Sequence, residues 1–294
     1  MRENEFTELR LEIGGVVLTV GLNGDGDGFK MAHVYRSFLS DGRSEAAFSV
    51  QYGSLPDLKS AMKVFDSGGS WKLYRDDGRW WFALQSPALG PEPYQIAVID
   101  ADFRRGDIYT AREFDHISSP YPLGYPLEEL LFVNLLSLGR GVLLHACAVS
   151  DSGCGFVFAG TSGSGKSTVA DLWKDQEGVT ILSDDRVIVR EEEGRFWAYG
   201  TPWHGDVNLC SPERAPVDRI FVLRHGGENS AVPLEASTAL TSLLVRSFPT
   251  YWNPEGMGFI LEFLGRMSRA VPCYDLGFVP DRSVIDFVRT IQRC

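Results

Sequence analysis

The pattern of apolar and polar positions changes character along the chain. Through residue 115 the apolar positions come in short runs, several with the period of two that marks a half-buried strand. Leu-Arg-Leu-Glu-Ile at 9–13 and Val-Val-Leu-Thr-Val at 16–20 flank Gly14-Gly15, which predicts two short strands around a turn. Trp71–Tyr74 and Arg79–Leu84 flank Asp76-Asp77-Gly78, and aromatic runs on either side of Asp-Gly predict a β-hairpin. Tyr94–Ile99 predicts a further strand. Gly24–Gly28 alternates glycine with aspartate but lacks the ligand spacing of a calcium loop, so a solvated loop is expected. Pro120, Pro122 and Gly124 crowd turn formers into Ser118–Gly124. A boundary is expected there, between a β-rich domain 1–120, a candidate for recruiting a substrate, and a second domain 121–294.

Helical spacing follows at Leu127, Leu130, Leu131, Leu135 and Leu138, with Gly139 or Gly141 as the stop. From Gly141 the order is apolar run (Val142–Val149), turn (Asp151-Ser152-Gly153), short strand (Phe156–Ala159), glycine loop, helix (Val169–Trp173) and strand (Val179–Leu182). A hairpin, Val187–Val189 with Arg195–Tyr199, comes next. This alternation predicts an α/β core. The last third holds three amphipathic helical patterns. Ala236, Ala239, Leu240, Leu243 and Leu244 form the first inward face. Asn253-Pro254 starts the second, with Met257, Ile260, Leu261, Leu264 and Met267 inward. Asp281 caps the third, with Val284, Ile285, Val288 and Ile291 inward.

Composition narrows the functional classes. Hydrophobic residues are 44% and charged residues 23% of 294, which excludes a disordered, collagen-like or coiled-coil chain. Acidic residues outnumber basic ones 39 to 28, a net charge of −11, which argues against wrapping nucleic acid. The five cysteines match no zinc or disulfide framework. His145 and Cys147 are too few to hold a metal. Met1–Glu5 lacks the basic start and apolar core of a secretory leader. The Leu127–Val149 region is interrupted by Glu128, Glu129, Asn134, Arg140 and His145, so no membrane span is expected. The expectation is a cytoplasmic protein.

Gly160-Thr161-Ser162-Gly163-Ser164-Gly165-Lys166-Ser167 fits G-x-x-x-x-G-K-[ST] after an apolar strand and before a helix. A loop that wraps phosphate must turn backbone N–H groups inward, which glycine permits, and the following helix presents its positive end to the anion. Lys166 would charge-pair with the β/γ-phosphates, and Ser167 would offer a hydroxyl to magnesium. Ser183-Asp184-Asp185-Arg186 follows the next strand, where α/β ligand sites lie. One carboxylate can hold magnesium while the other accepts a proton from an attacking hydroxyl. Neighbouring carboxylates are expected to push one pKa upward. His145 lies on the strand preceding the loop strand and is the third candidate.

Leu144-His145-Ala146, the loop Gly160–Ser167 with Thr168, and Leu182-Ser183-Asp184-Asp185 together resemble the catalytic domain of HPr kinase/phosphorylase. The core fold of that domain is shared with phosphoenolpyruvate carboxykinase. The resemblance spans about Leu127 to Asp206 and is closest to diverged HPr-kinase-like proteins, which also resemble this chain over Tyr199–Asp206. It implies an α/β phosphate-loop core with a β-rich N-terminal domain and C-terminal helices. It further implies ATP- and Mg²⁺-dependent phosphorylation of a serine hydroxyl on a protein, peptide or small molecule, with a homo-oligomer among the expectations. Gly160–Thr168 would bind the nucleotide. Asp185 would be the base and Asp184 the metal partner, with the two roles interchangeable. His145 would lie near the transferred phosphoryl group. Asp206, standing for a glutamate of such motifs, would lie near the metal or the acceptor. Arg186, Arg214 and Arg219 are candidate transition-state cations, and Trp203 and His204 candidate acceptor contacts. A nucleotide-binding sensor, a carboxykinase-like lyase and simple nucleotide hydrolysis are the competing readings.

Overall fold

The structure, a computed structural model, describes residues 6–23, 28, 30–112 and 121–291. Residues 1–5, most of the Gly24–Gly28 loop, Cys294 and the 118–120 part of the expected boundary lie outside the described residues. The architecture is mixed α/β, with two large mixed sheets and few helices. Chain contacts divide it into two compact units, Val16–Leu135 with the segment before Ile13, and Leu136–Cys294 with Ile13–Gly15.

The first unit holds β1 (Glu8–Ile13), β2 (Val16–Leu22), β3 (Ala46–Gly53), β4 (Met62–Asp66), β5 (Trp71–Asp76), β6 (Arg79–Leu84), β7 (Gln95–Ile99) and β8 (Arg105–Ala111). They form one sheet in the order β1-β2-β3-β8-β7-β6-β5-β4. The Asp-Gly hairpin is present as β5–β6: Asp77 and Gly78 both take positive φ (44° and 74°), the backbone a tight hairpin turn needs. Trp80 and Trp81 are buried and act as packing. β3, β4 and β8 are strands beyond those the sequence pattern predicts.

The second sheet and its helices follow α1 (Leu127–Ser137), whose end is Gly139 at φ 90°. Next come β9 (Val142–Asp151), β10 (Cys154–Ala159), α2 (Lys166–Trp173), β11 (Val179–Ser183), β12 (Arg186–Glu192) and β13 (Arg195–Tyr199). The rest is β14 (Arg214–Pro216), β15 (Arg219–His225), β16 (Ser230–Pro233), α3 (Ala236–Leu244), α4 (Pro254–Ala270), β17 (Cys273–Phe278) and α5 (Ser283–Thr290). The main order is β14-β13-β12-β9-β10-β15-β17-β16, with β11 also on β9. β10, β15 and β17 run parallel, and the other pairings are antiparallel.

β9 is the spine. Its Leu144, Ala146 and Ala148 pack with α3 and α4, while Cys147 and Val149 pack with α2 and α5, so helices cover both faces. One edge of β9 is shared. β12 takes Val142–His145, β11 takes Ala148–Asp151, and the chain between these strands is Asp184-Asp185. The register, rather than any local motif, therefore delivers the aspartate pair to the level of His145.

The C-terminal helices form where expected. Asn253 Oδ1 accepts the Gly256 N–H and Pro254 opens α4. Asp281 Oδ1 accepts the Ser283 N–H at the start of α5. One inward assignment is corrected: Leu261 is exposed, and Phe263 takes the buried place beside Ile260, Leu264 and Met267. Phe263 packs edge-to-face with Phe196, ring centres 5.4 Å apart. Replacing the fully buried Leu264 by alanine should cost about 2–5 kcal/mol. Leu261→Ala should stay within about 0.5 kcal/mol. Urea unfolding of the two variants checks the assignment, and the opposite ranking contradicts it.

Candidate functional site

The site lies in the second unit, where β10 ends at Ala159, the 160–165 loop follows and α2 begins at Lys166. Two loop glycines are conformationally required, since Gly163 and Gly165 take φ of 78° and 98°. A methyl on Gly165 would also stand 2.6 Å from the Phe278 ring. A methyl on Gly160 would overlap the Ser164 hydroxyl. No side chain caps α2, and the Ser164 hydroxyl is buried inside the loop with no hydrogen-bond partner. Uncapped first-turn amides, an unsatisfied hydroxyl and a buried lysine make a donor set that fits an anion. His225 Nε2–H donates to the Gly163 carbonyl at 2.9 Å and holds the outer turn.

Lys166 is folded back over the loop. Its Nζ donates to Thr161 O at 3.3 Å and lies 3.3 Å from Asp185 Oδ1, with the side chain only 5% exposed. Asp185 gathers two further donors. His145 Nε2–H reaches Oδ1 at 2.9 Å, and Arg186 Nη1 is paired with Oδ2. The Arg186 guanidinium stacks on Phe248, 4.6 Å from the ring centre. Backbone bonds fix these groups, because Gly160 N–H donates to His145 O at 3.1 Å and Ala146 N–H donates to Asp185 O at 3.1 Å. The fold thus brings His145, Lys166 and Asp185 together with the Gly160–Gly165 loop. Ser167 and Thr168 are half-buried in the first turn of α2, while Thr161, Ser162 and Gly163 are exposed.

Asp184 has different company. It is fully buried, and its carboxylate accepts the Gly205 N–H at 2.7 Å and the Val207 N–H at 3.1 Å. The two aspartates therefore engage separate partners instead of sharing one. At Asp185 the shift runs opposite to the upward one expected for one of the pair. Burial pushes the Asp185 carboxyl up, but the His145 hydrogen bond and the charges of Arg186, His145 and Lys166 outweigh it and hold the pKa below its ordinary value. Lys166 is more deeply enclosed, and burial pushes its pKa down against the pull of Asp185.

Of the three candidate arginines only Arg186 is at the site. Arg214 pairs with Glu192 and Tyr199, and Arg219 is buried over Phe156. Asp206 and His204 are exposed on the 203–207 segment, and Trp203 is buried. Among the described residues no three His, Cys, Asp or Glu side chains cluster as a self-contained metal site. Magnesium on a nucleotide does not require such a cluster, because phosphate oxygens and water complete its shell. Ser167, a hard oxygen donor beside the lysine, fits that chemistry. The described cysteines Cys147, Cys154, Cys210 and Cys273 are free thiols. No described helix is long and apolar enough to cross a membrane.

No family model matches this sequence, and no curated protein matches it.

The depressed Asp185 pKa carries a signed prediction. A carboxylate whose folded pKa lies below its unfolded value of 3.8 stabilises the fold above that value and loses the contribution as pH falls through the folded one. Asp185→Asn should lower the urea midpoint at neutral pH and flatten its decline below about pH 4. An acid limb identical to that of the wild type contradicts the assignment.

Proposed function

We propose that this chain is an ATP-dependent kinase of the HPr-kinase-like type, which transfers a phosphoryl group to a serine hydroxyl. The observation that carries the reading is the 3.3 Å approach of Lys166 Nζ to Asp185 Oδ1 at the mouth of a strand–glycine loop–helix turn. A charge that binds phosphate and a carboxylate that receives a proton then stand side by side, as in-line transfer requires.

In this reading the 160–165 amides and Lys166 bind the β- and γ-phosphates of ATP. Ser167 would hold a magnesium ion that neutralises the phosphate charge. The acceptor serine hydroxyl hydrogen-bonds to Asp185. Its oxygen forms the new bond to the γ-phosphorus as the bond to the bridging oxygen of ADP breaks, and its proton passes to Asp185. The low pKa of Asp185 keeps it ionised and ready to accept. A loose phosphoryl-transfer transition state asks more for positioning and charge than for a strong base. Arg186 is placed to add positive charge beside the same carboxylate. His145 orients Asp185 through Nε2.

The test is transfer from γ-labelled ATP with magnesium to a degenerate serine-peptide library and to serine-bearing small molecules. Asp185→Asn should lower labelling about 10²–10⁴-fold. Lys166→Ala should abolish it through lost nucleotide affinity. Nucleotide binding without transfer to any acceptor supports a sensor, and release of free phosphate alone supports hydrolysis. Undiminished transfer by Asp185→Asn contradicts the mechanism.

A further inference from the structure

The surroundings of Asp184 suit a task other than holding an ion. A fully buried carboxylate must be satisfied by fixed donors, and here both are backbone amides, Gly205 N–H on Oδ1 and Val207 N–H on Oδ2. These amides come from the long connection between β13 and β14. That connection is pinned near both ends. Thr201 Oγ1 donates to Arg186 O at 2.7 Å, and Ser211 N–H donates to Leu182 O at 3.0 Å. Its middle is held by Asp184. Gly205 lies so close that an added Cβ would stand 3.1 Å from Asp185 Cβ. Gly205 of this segment thus packs against the stem of Asp185, while Lys166, His145 and Arg186 occupy its carboxylate. It carries His204 and Asp206 exposed.

We propose, on the kinase reading above, that Asp184 is a positioning residue. It fixes the 203–207 segment against Asp185, and that segment is the acceptor side of the site, with His204 and Asp206 as its contacts to the serine-bearing molecule. The glycine loop takes the phosphate side of Asp185 and Arg186 on Phe248 takes another, and this segment is a further wall packed on that residue, the one that carries exposed polar side chains. A carboxylate is needed because asparagine offers one acceptor oxygen and would turn an NH₂ group toward the second amide.

The experiment compares Asp184→Asn, His204→Ala, Asp206→Ala and Lys166→Ala. Readouts are amide hydrogen exchange at 203–208, MgATP affinity by calorimetry, and transfer to the serine-peptide library. Asp184→Asn should speed exchange at Gly205 or Val207 about tenfold to a hundredfold. MgATP affinity should stay within about threefold of wild type. The apparent KM for peptide should rise on the order of tenfold or more, because small displacements at a reacting site are costly. His204→Ala and Asp206→Ala should raise the same KM without altering exchange. Unchanged exchange in Asp184→Asn, or a loss of MgATP affinity as large as that of Lys166→Ala, overturns the proposal. If the wild type labels no acceptor, the kinase reading fails, and with it the acceptor wall, while exchange and MgATP affinity still decide whether Asp184 positions the segment.

Discussion

A lysine that is 5% exposed cannot keep its charge without a counter-ion, and here the counter-ion is Asp185 at 3.3 Å. The same carboxylate is the meeting point of His145 and Arg186. Removing it would leave two cations facing each other in a half-buried place, so the geometry of the site depends on this one group. The pairing also explains why the two partners shift differently. Lys166 is enclosed by protein and loses more hydration than one carboxylate returns. Asp185 has three donors, so their combined attraction prevails over burial.

What holds Asp185 there is sheet architecture. β9 offers one edge to two strands in turn, and the aspartates occupy the step between them. On its other edge β10 stops opposite Ala146, and the glycine loop departs from the level of His145. The helices on both faces fix the sheet from above and below, with Trp173 of α2 fully buried against Phe156 and Phe158. The distance between loop and acid therefore follows from strand register, and a one-residue slip of a strand would turn its own side chains to the wrong face.

Parts of this arrangement were legible in the chain and parts were not. The glycine loop and the Asp-Gly hairpin could be read because each needs backbone conformations that few residues allow. The inward face of α4 is legible from its period except at one position. Leu261 and Phe263 both flank the stripe through Ile260, Leu264 and Met267, and the choice between them lies in tertiary packing such as the Phe263 contact with Phe196. Ile220-Phe221-Val222-Leu223 is a continuous apolar run of the kind a central parallel strand shows, and it was the available signal for β15. The two fates of Asp184 and Asp185 could not be read, because the partners of Asp184 are backbone amides, which every residue but proline possesses. Arg186 carried no spacing signal, and its place beside Asp185 emerges only from the β12 pairing with His145.

Titration with inorganic tripolyphosphate probes the phosphate cradle alone, since it presents the phosphate chain without base or ribose. The wild type should bind it saturably, with an affinity that weakens with rising salt, in competition with ATP, and Lys166→Ala should lose this binding. Equal binding by Lys166→Ala, or tripolyphosphate that fails to displace ATP, would contradict the cradle.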